Sequence, residues 1–164
     1  MPVVSTSKDP AALTMTLVGE FPATVDRVWR LWADARRLER WWGPPAWPAT
    51  FERHDFTVGG ASRYYMTGPD GDCARGWWEI TELDAPTSLT LRDGFAGDDG
   101  EPVDPADHVT MSVELAPVGP GTRMTVVTRF QNIEQMTKHL DLGMEEGMRQ
   151  AAGQIDGLLA DGRP

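Results

Sequence analysis

An α+β fold, with one curved antiparallel sheet wrapped around a long C-terminal helix, is what the sequence predicts, and three patterns predict it. Near the C-terminus Ile133, Met136, Leu140, Met144, Met148, Ala151, Ile155 and Leu158 step by three or four residues. That is one apolar stripe on a helix of about seven turns, on the order of 40 Å long. Before it, Val109, Met111, Val113 and Leu115 alternate with polar residues, and after Gly119-Pro120-Gly121 the alternation continues through Met124, Val126, Thr128 and Phe130. Two strands joined by a tight turn are antiparallel neighbours. Third, residues 48–94 break into short runs of strand character separated by glycine and proline. A helix so long and apolar on one side must lie across a sheet.

The elements follow in order. Residues 1–12 read as a disordered or extended leader, and 13–160 as a single domain, with a short tail over 161–164. Leu13 to Phe21 alternates as a strand. Thr24 is placed to cap a helix over 25–33, with Asp26 in its first turn and Val25, Val28, Trp29 and Trp32 at helical spacing. Asp34 caps a second short helix to Arg40, which Gly43-Pro44-Pro45 ends. Strands are expected at 48–58, 61–67, 75–83 and 88–94, followed by a long acidic loop over 93–107. With 109–115 and 124–130 the sheet has about six or seven strands. Asn132 and Gln135 have capping-box spacing at the start of the last helix.

Charge and composition exclude several functions. The 164 residues include 25 acidic and 15 basic side chains, a formal charge of −10. That balance disfavours nucleic acid and anionic membrane as partners. Cys73 is the only cysteine, so no intrachain disulfide forms, and no secretory signal or apolar run of about 20 residues is seen, which together make the cytoplasm the expected location. A Walker loop, a GxSxG elbow and a GxGxxG after a strand are all missing. The three histidines lack metal-ligand spacing. No cofactor, metal site or catalytic set is expected.

Further motifs carry a resemblance. Val28-Trp29, Arg40-Trp41-Trp42-Gly43-Pro44, Asp55 with Gly59-Gly60, Gly68-Pro69-Asp70-Gly71 and Gly143-Met144-Glu145-Glu146-Gly147-Met148 occur in that order. In this the chain resembles the START-like (SRPBCC) superfamily with its helix-grip, or Bet v-like, fold, and within it the bacterial group named after the activator of the heat-shock-protein-90 ATPase. The resemblance spans roughly residues 13–160. It implies a deep cavity between the last helix and the concave face of the sheet, and it does not imply one activity, because the superfamily holds binders, cyclases, dehydratases and chaperone partners.

The residues admit such a cavity. Gly143, Gly147 and Ala151, spaced by four beside Met144 and Met148, suit either close packing or an adaptable wall. Trp41 and Trp42 are adjacent, so one should pack and the other line a cavity mouth. Trp77 and Trp78 must point to opposite faces of a strand, with Trp78 inward in phase with Ile80. Ser62, Tyr64 and Met66 share a strand face, and His54 is a general base if it faces the cavity. The expected cavity set is therefore Trp32, Trp42, His54, Ser62, Tyr64, Met66, Trp78, Met111, Met144 and Met148. The leading expectation is a binder of a small hydrophobic or amphipathic ligand, with a homodimer also allowed. A polyketide cyclase or dehydratase-like enzyme and a chaperone-interacting module are the alternatives.

Overall fold

The computed structural model describes residues 3–160. The order is β1 (Val3–Asp9), β2 (Thr14–Phe21), α1 (Val25–Ala33), α2 (Ala35–Leu38), β3 (Ala49–His54), β4 (Ala61–Thr67), β5 (Cys73–Asp84), β6 (Ser88–Phe95), β7 (Val109–Val118), β8 (Gly121–Arg129), α3 (Ile133–Asp141), α4 (Met144–Gly153) and α5 (Ile155–Ala160). One sheet holds all eight strands in the order β1-β2-β8-β7-β6-β5-β4-β3, every pair antiparallel. The helices gather on one face of it, the arrangement a half-apolar sheet requires. The helix-grip α+β fold is thus the fold of this chain.

Local chemistry accounts for the helix starts. Thr24 accepts a hydrogen bond from the Arg27 amide at 3.4 Å, and Asp34 accepts one from Arg36 at 2.9 Å. Asn132 caps α3 through the Gln135 amide at 2.8 Å, while the Gln135 side chain accepts from the Gln131 amide at 2.7 Å. Each such cap satisfies amides that the first helical turn leaves without partners. Helix α1 then buries Val28, Trp29, Leu31 and Trp32. Alternation along β2, β7 and β8 sends Leu17, Met111, Val113, Met124 and Val126 into the same core.

The structure departs from expectation in three places. The leader is extended over Val3–Asp9 and is hydrogen-bonded into the sheet beside β2, giving eight strands. The acidic loop starts after residue 95, because β6 runs to Phe95, one residue past the expected strand, and keeps Asp93, where the expected strand 88–94 and loop 93–107 overlap, within the sheet. The long C-terminal helix is three helices. Gly143 has φ +89°, and the bond from its amide to the Leu140 carbonyl at 3.0 Å closes α3. A glycine in this left-handed conformation ends a helix without the Cβ clash other residues incur. Apolar spacing runs on across the break because it counts residues, not backbone angles. A second break at Gln154 is tied down by its side-chain amide, which donates to the Gly43 carbonyl at 2.7 Å.

Among the described residues no helix is long and apolar enough to cross a membrane.

Candidate functional site

A cavity of about 540 Å³ lies between α4 and the concave face of the sheet. Its floor comes from Leu17, Met111, Met124 and Val126 on β2, β7 and β8, and its roof from Met144, Gly147, Met148, Ala151 and Ala152 on α4. Trp32, Trp41, Trp42 and Trp47 form much of one wall. The lining reaches the surface at Phe95 and Leu142, which are 39% and 67% exposed. Leu142 is there because the helix breaks beside it, so the discontinuity between α3 and α4 forms part of the mouth.

One wall is polar. Tyr64 on β4 is buried, and its hydroxyl donates to Asp93 Oδ1 on β6 at 2.8 Å. Both side chains line the cavity. The register explains how they meet across the intervening strand. Asp93 stands opposite Trp78 on β5, and Tyr64 stands opposite Gly76. A Cβ on Gly76 would sit 2.3 Å from the Tyr64 ring and 2.4 Å from its oxygen. Only the missing side chain lets the phenol lie over β5 and reach the next strand but one.

Burial pushes the Asp93 carboxyl up from 3.8 to about 7, against the pull of Tyr64 and the nearby Trp78 indole. Desolvation and the Asp93 charge both hold the Tyr64 phenol well above its ordinary range, so it stays protonated and donates. Around them the rings of Trp42, Trp78, Tyr64 and Phe51 pack edge-to-face or stacked, with Trp42 and Trp78 4.8 Å apart at 90°. The indole N–H groups of Trp42 and Trp78 are buried without a hydrogen-bond partner. Two such groups around the Tyr64–Asp93 pair call for a reason, since burying an unpaired donor costs about 1–3 kcal/mol.

The expected cavity residues separate into two groups. Trp32, Trp42, Tyr64, Met66, Met111, Met144 and Met148 border the cavity. His54, Ser62 and Trp78 do not. Trp78 does point inward with Ile80, both fully buried, but Trp32, Trp42, Phe51 and Tyr64 enclose its ring. Ser62 is fully buried and His54 shields it, with 2.8 Å between the Ser62 hydroxyl and His54 Nδ1. His54 Nε2 lies 2.8 Å from the Trp32 carbonyl. A carbonyl only accepts, so Nε2 carries the proton and Nδ1 accepts from Ser62. With its lone pair taken and the ring outside the cavity, His54 is no general base here. Burial also lowers its pKa and keeps it neutral.

Trp41 and Trp42 are both buried and both face the cavity, contrary to the expectation that they diverge. They sit in the turn after α2, where successive side chains need not be a helical step apart, and their rings meet at 80°. The Trp41 indole donates to the Leu31 carbonyl at 2.9 Å. Two titratable side chains outside the expected set also line the cavity, Asp93 and His139. Asp93 stands where the expected strand 88–94 and the expected acidic loop 93–107 overlap, and it continues the alternation of Leu89 and Leu91. His139, outside the apolar stripe of α3, stacks on Phe95 at 5.3 Å, and burial lowers its pKa. Among the described residues no group of three or more His, Cys, Asp or Glu is placed to hold a metal ion.

A helix-grip sheet closed over an apolar cavity defines the class of domain. A sequence model of the Activator of Hsp90 ATPase homolog 1-like protein family (AHSA1) matches residues 22–160, and the chain belongs to that family. A protein from Arthrobacter aurescens, solved in solution, is 55% identical over 97% of this chain and 92% of its own, with TM-score 0.91. Protein Ms6760 from Mycobacterium smegmatis is 41% identical over 98% and 100%, with TM-score 0.89. The AHSA1 protein from Silicibacter pomeroyi shares the fold at 20% identity, covering 92% of this chain and 99% of its own, with TM-score 0.72. No protein of curated function matches the chain.

Proposed function

We propose that this protein binds a small apolar or amphipathic molecule in the cavity under α4, with the apolar part among the methionines and tryptophans and a polar end at Tyr64–Asp93. The observation that carries this reading is an apolar space of about 540 Å³ with one buried polar corner. Binding sites for small molecules share that design, in which apolar walls give affinity and a few polar groups fix orientation. The cavity tryptophans supply the readout. Titration with fatty acids, aromatic polyketide-like compounds and sterols is expected to give a saturable change in tryptophan fluorescence with at least one class. Ala151→Leu, which fills part of the cavity, is expected to weaken that binding at least tenfold. No saturable response to any class would refute the reading.

The position of Asp93 supports a second reading, an acid–base step on the bound molecule of the cyclase or dehydratase kind. A carboxyl held near 7 exchanges protons readily at neutral pH. Turnover of a cyclisable polyketide that Asp93→Asn abolishes, with binding retained, would establish it. The family's description supports a third, a contact with a chaperone of the Hsp90 class. Failure of a pull-down to enrich that chaperone would remove it.

A further inference from the structure

Resting on the cavity-binding reading above, we infer that the ligand is a cation: an amphipathic amine whose ammonium group pairs with Asp93 while its apolar body lies along the tryptophan wall. Four observations lead to it. First, among the described residues no lysine or arginine lines the cavity, and Asp93 is the one carboxylate there to stand opposite a ligand's cation. His139, the other titratable lining group besides Tyr64, is kept neutral by burial.

Second, the only hydrogen bond given to Asp93 among the described residues falls on Oδ1, from Tyr64. Asp93 keeps part of its surface accessible, and it borders the cavity. Oδ2 accepts no hydrogen bond from the described residues and is open to a ligand's donor. Third, the unpartnered Trp42 and Trp78 N–H groups belong to this same corner. Trp42 lies beside the Tyr64 oxygen and Trp78 beside both Tyr64 and Asp93, where each favours negative charge on those oxygens. Two donors, the Tyr64 hydroxyl and the Trp78 N–H, thus face the Asp93 carboxyl in a desolvated place, and the Trp42 N–H faces the Tyr64 oxygen. That arrangement serves an ionised Asp93, and a bound cation is what makes ionisation favourable there.

Fourth, the wall beside Asp93 is aromatic. Indole faces attract organic cations through the ring quadrupole, and tryptophan does so best among the aromatic side chains. An anionic amphiphile would meet the opposite of all this, a buried carboxylate with no compensating cation. A neutral alcohol would gain one hydrogen bond to Oδ2 and nothing from charge.

The test compares decylamine, decanol and decanoate at pH 8, where the amine is protonated, by tryptophan fluorescence and calorimetry. Salt at about 0.5 M shortens the Debye length to well under about 10 Å and so suppresses attraction to the acidic surface. The expected result is at least tenfold tighter binding of decylamine than of decanol, with decanoate weakest. In Asp93→Asn the amine preference is expected to shrink to within about threefold. Equal affinity for amine and alcohol in the native protein would overturn the inference while leaving cavity binding intact. An amine preference that survives in Asp93→Asn would also overturn it, by placing the cation elsewhere. If none of the three probes binds while a sterol or a polyketide-like compound does, the inference fails and cavity binding stands; if those compounds also fail to bind, both fall.

Discussion

Two polar pairs, each joining a buried residue of β4 to a half-buried partner, lie two residues apart on one face of that strand, and they have opposite characters. Ser62 and His54 form a closed unit. Every polar atom has a partner, the ring bridges the sheet to the end of α1, and aromatic neighbours shut out the cavity. Tyr64 and Asp93 form an open one, with one carboxyl oxygen unpaired, two indole donors without partners and the cavity in front. A polar residue on a core face therefore says little by itself. What its neighbours leave unsatisfied is what separates a structural bond from a site.

The largest effect that probes this contrast is expected from His54→Ala. It strands the Ser62 hydroxyl and the Trp32 carbonyl and leaves a void among Phe51, Phe56 and Trp78, so it should cost about 3 kcal/mol in urea unfolding at pH 8. A loss under about 1 kcal/mol would show that the closed pair is dispensable.

Asp93→Asn should act in the other direction. The carboxyl is raised from 3.8 to about 7, so the folded chain holds a proton that the unfolded chain has released. The stability this group contributes is complete below about pH 4 and is lost as pH rises through 7. The asparagine variant lacks that loss. Its stability relative to the native protein should improve by about 2 kcal/mol between pH 5 and pH 8, as measured by urea unfolding. A difference independent of pH would place Asp93 in water. The lowered pKa of His54 carries the opposite sign: its stabilisation holds above the unfolded value and falls away on acidification, as does that of His139. Acid therefore favours the open pair and weakens the closed one.

The smallest effects concern the cavity roof. Gly143→Ala must adopt φ +89° and should cost about 1 kcal/mol. Gly147→Ala meets no atom within 4 Å and lies inside a helix. It should stabilise by about 0.5–1 kcal/mol. Thermal melts of the two variants moving in the same direction would contradict the roles assigned to these glycines.

Local pattern carried most of the architecture. Thr24, Asp34 and Asn132 cap where their side chains allow it, and alternation located every strand of the sheet except β1 to within a few residues. These features depend on residues close in the chain, so the sequence itself determines them. The aromatic and methionine wall was legible too, because Trp32, Trp42, Tyr64, Met144 and Met148 are apolar residues on faces that periodicity assigns. The polar corner was not. Asp93 is two residues beyond Leu91 in the same phase, yet among five other carboxylates in the 93–107 stretch it reads as solvated.

Only the tertiary structure decided three things. It carried β6 on to Phe95 and paired Asp93 with Trp78, which set a half-buried carboxyl on the cavity wall instead of in the loop. It laid Tyr64 over Gly76, across a strand that separates the two residues of the dyad. It divided the roof at Gly143 and so opened the mouth that an unbroken helix would have covered. Each depends on which strands and helices become neighbours, and therefore on the desolvation and unpaired hydrogen bonds that arise where distant parts of the chain meet.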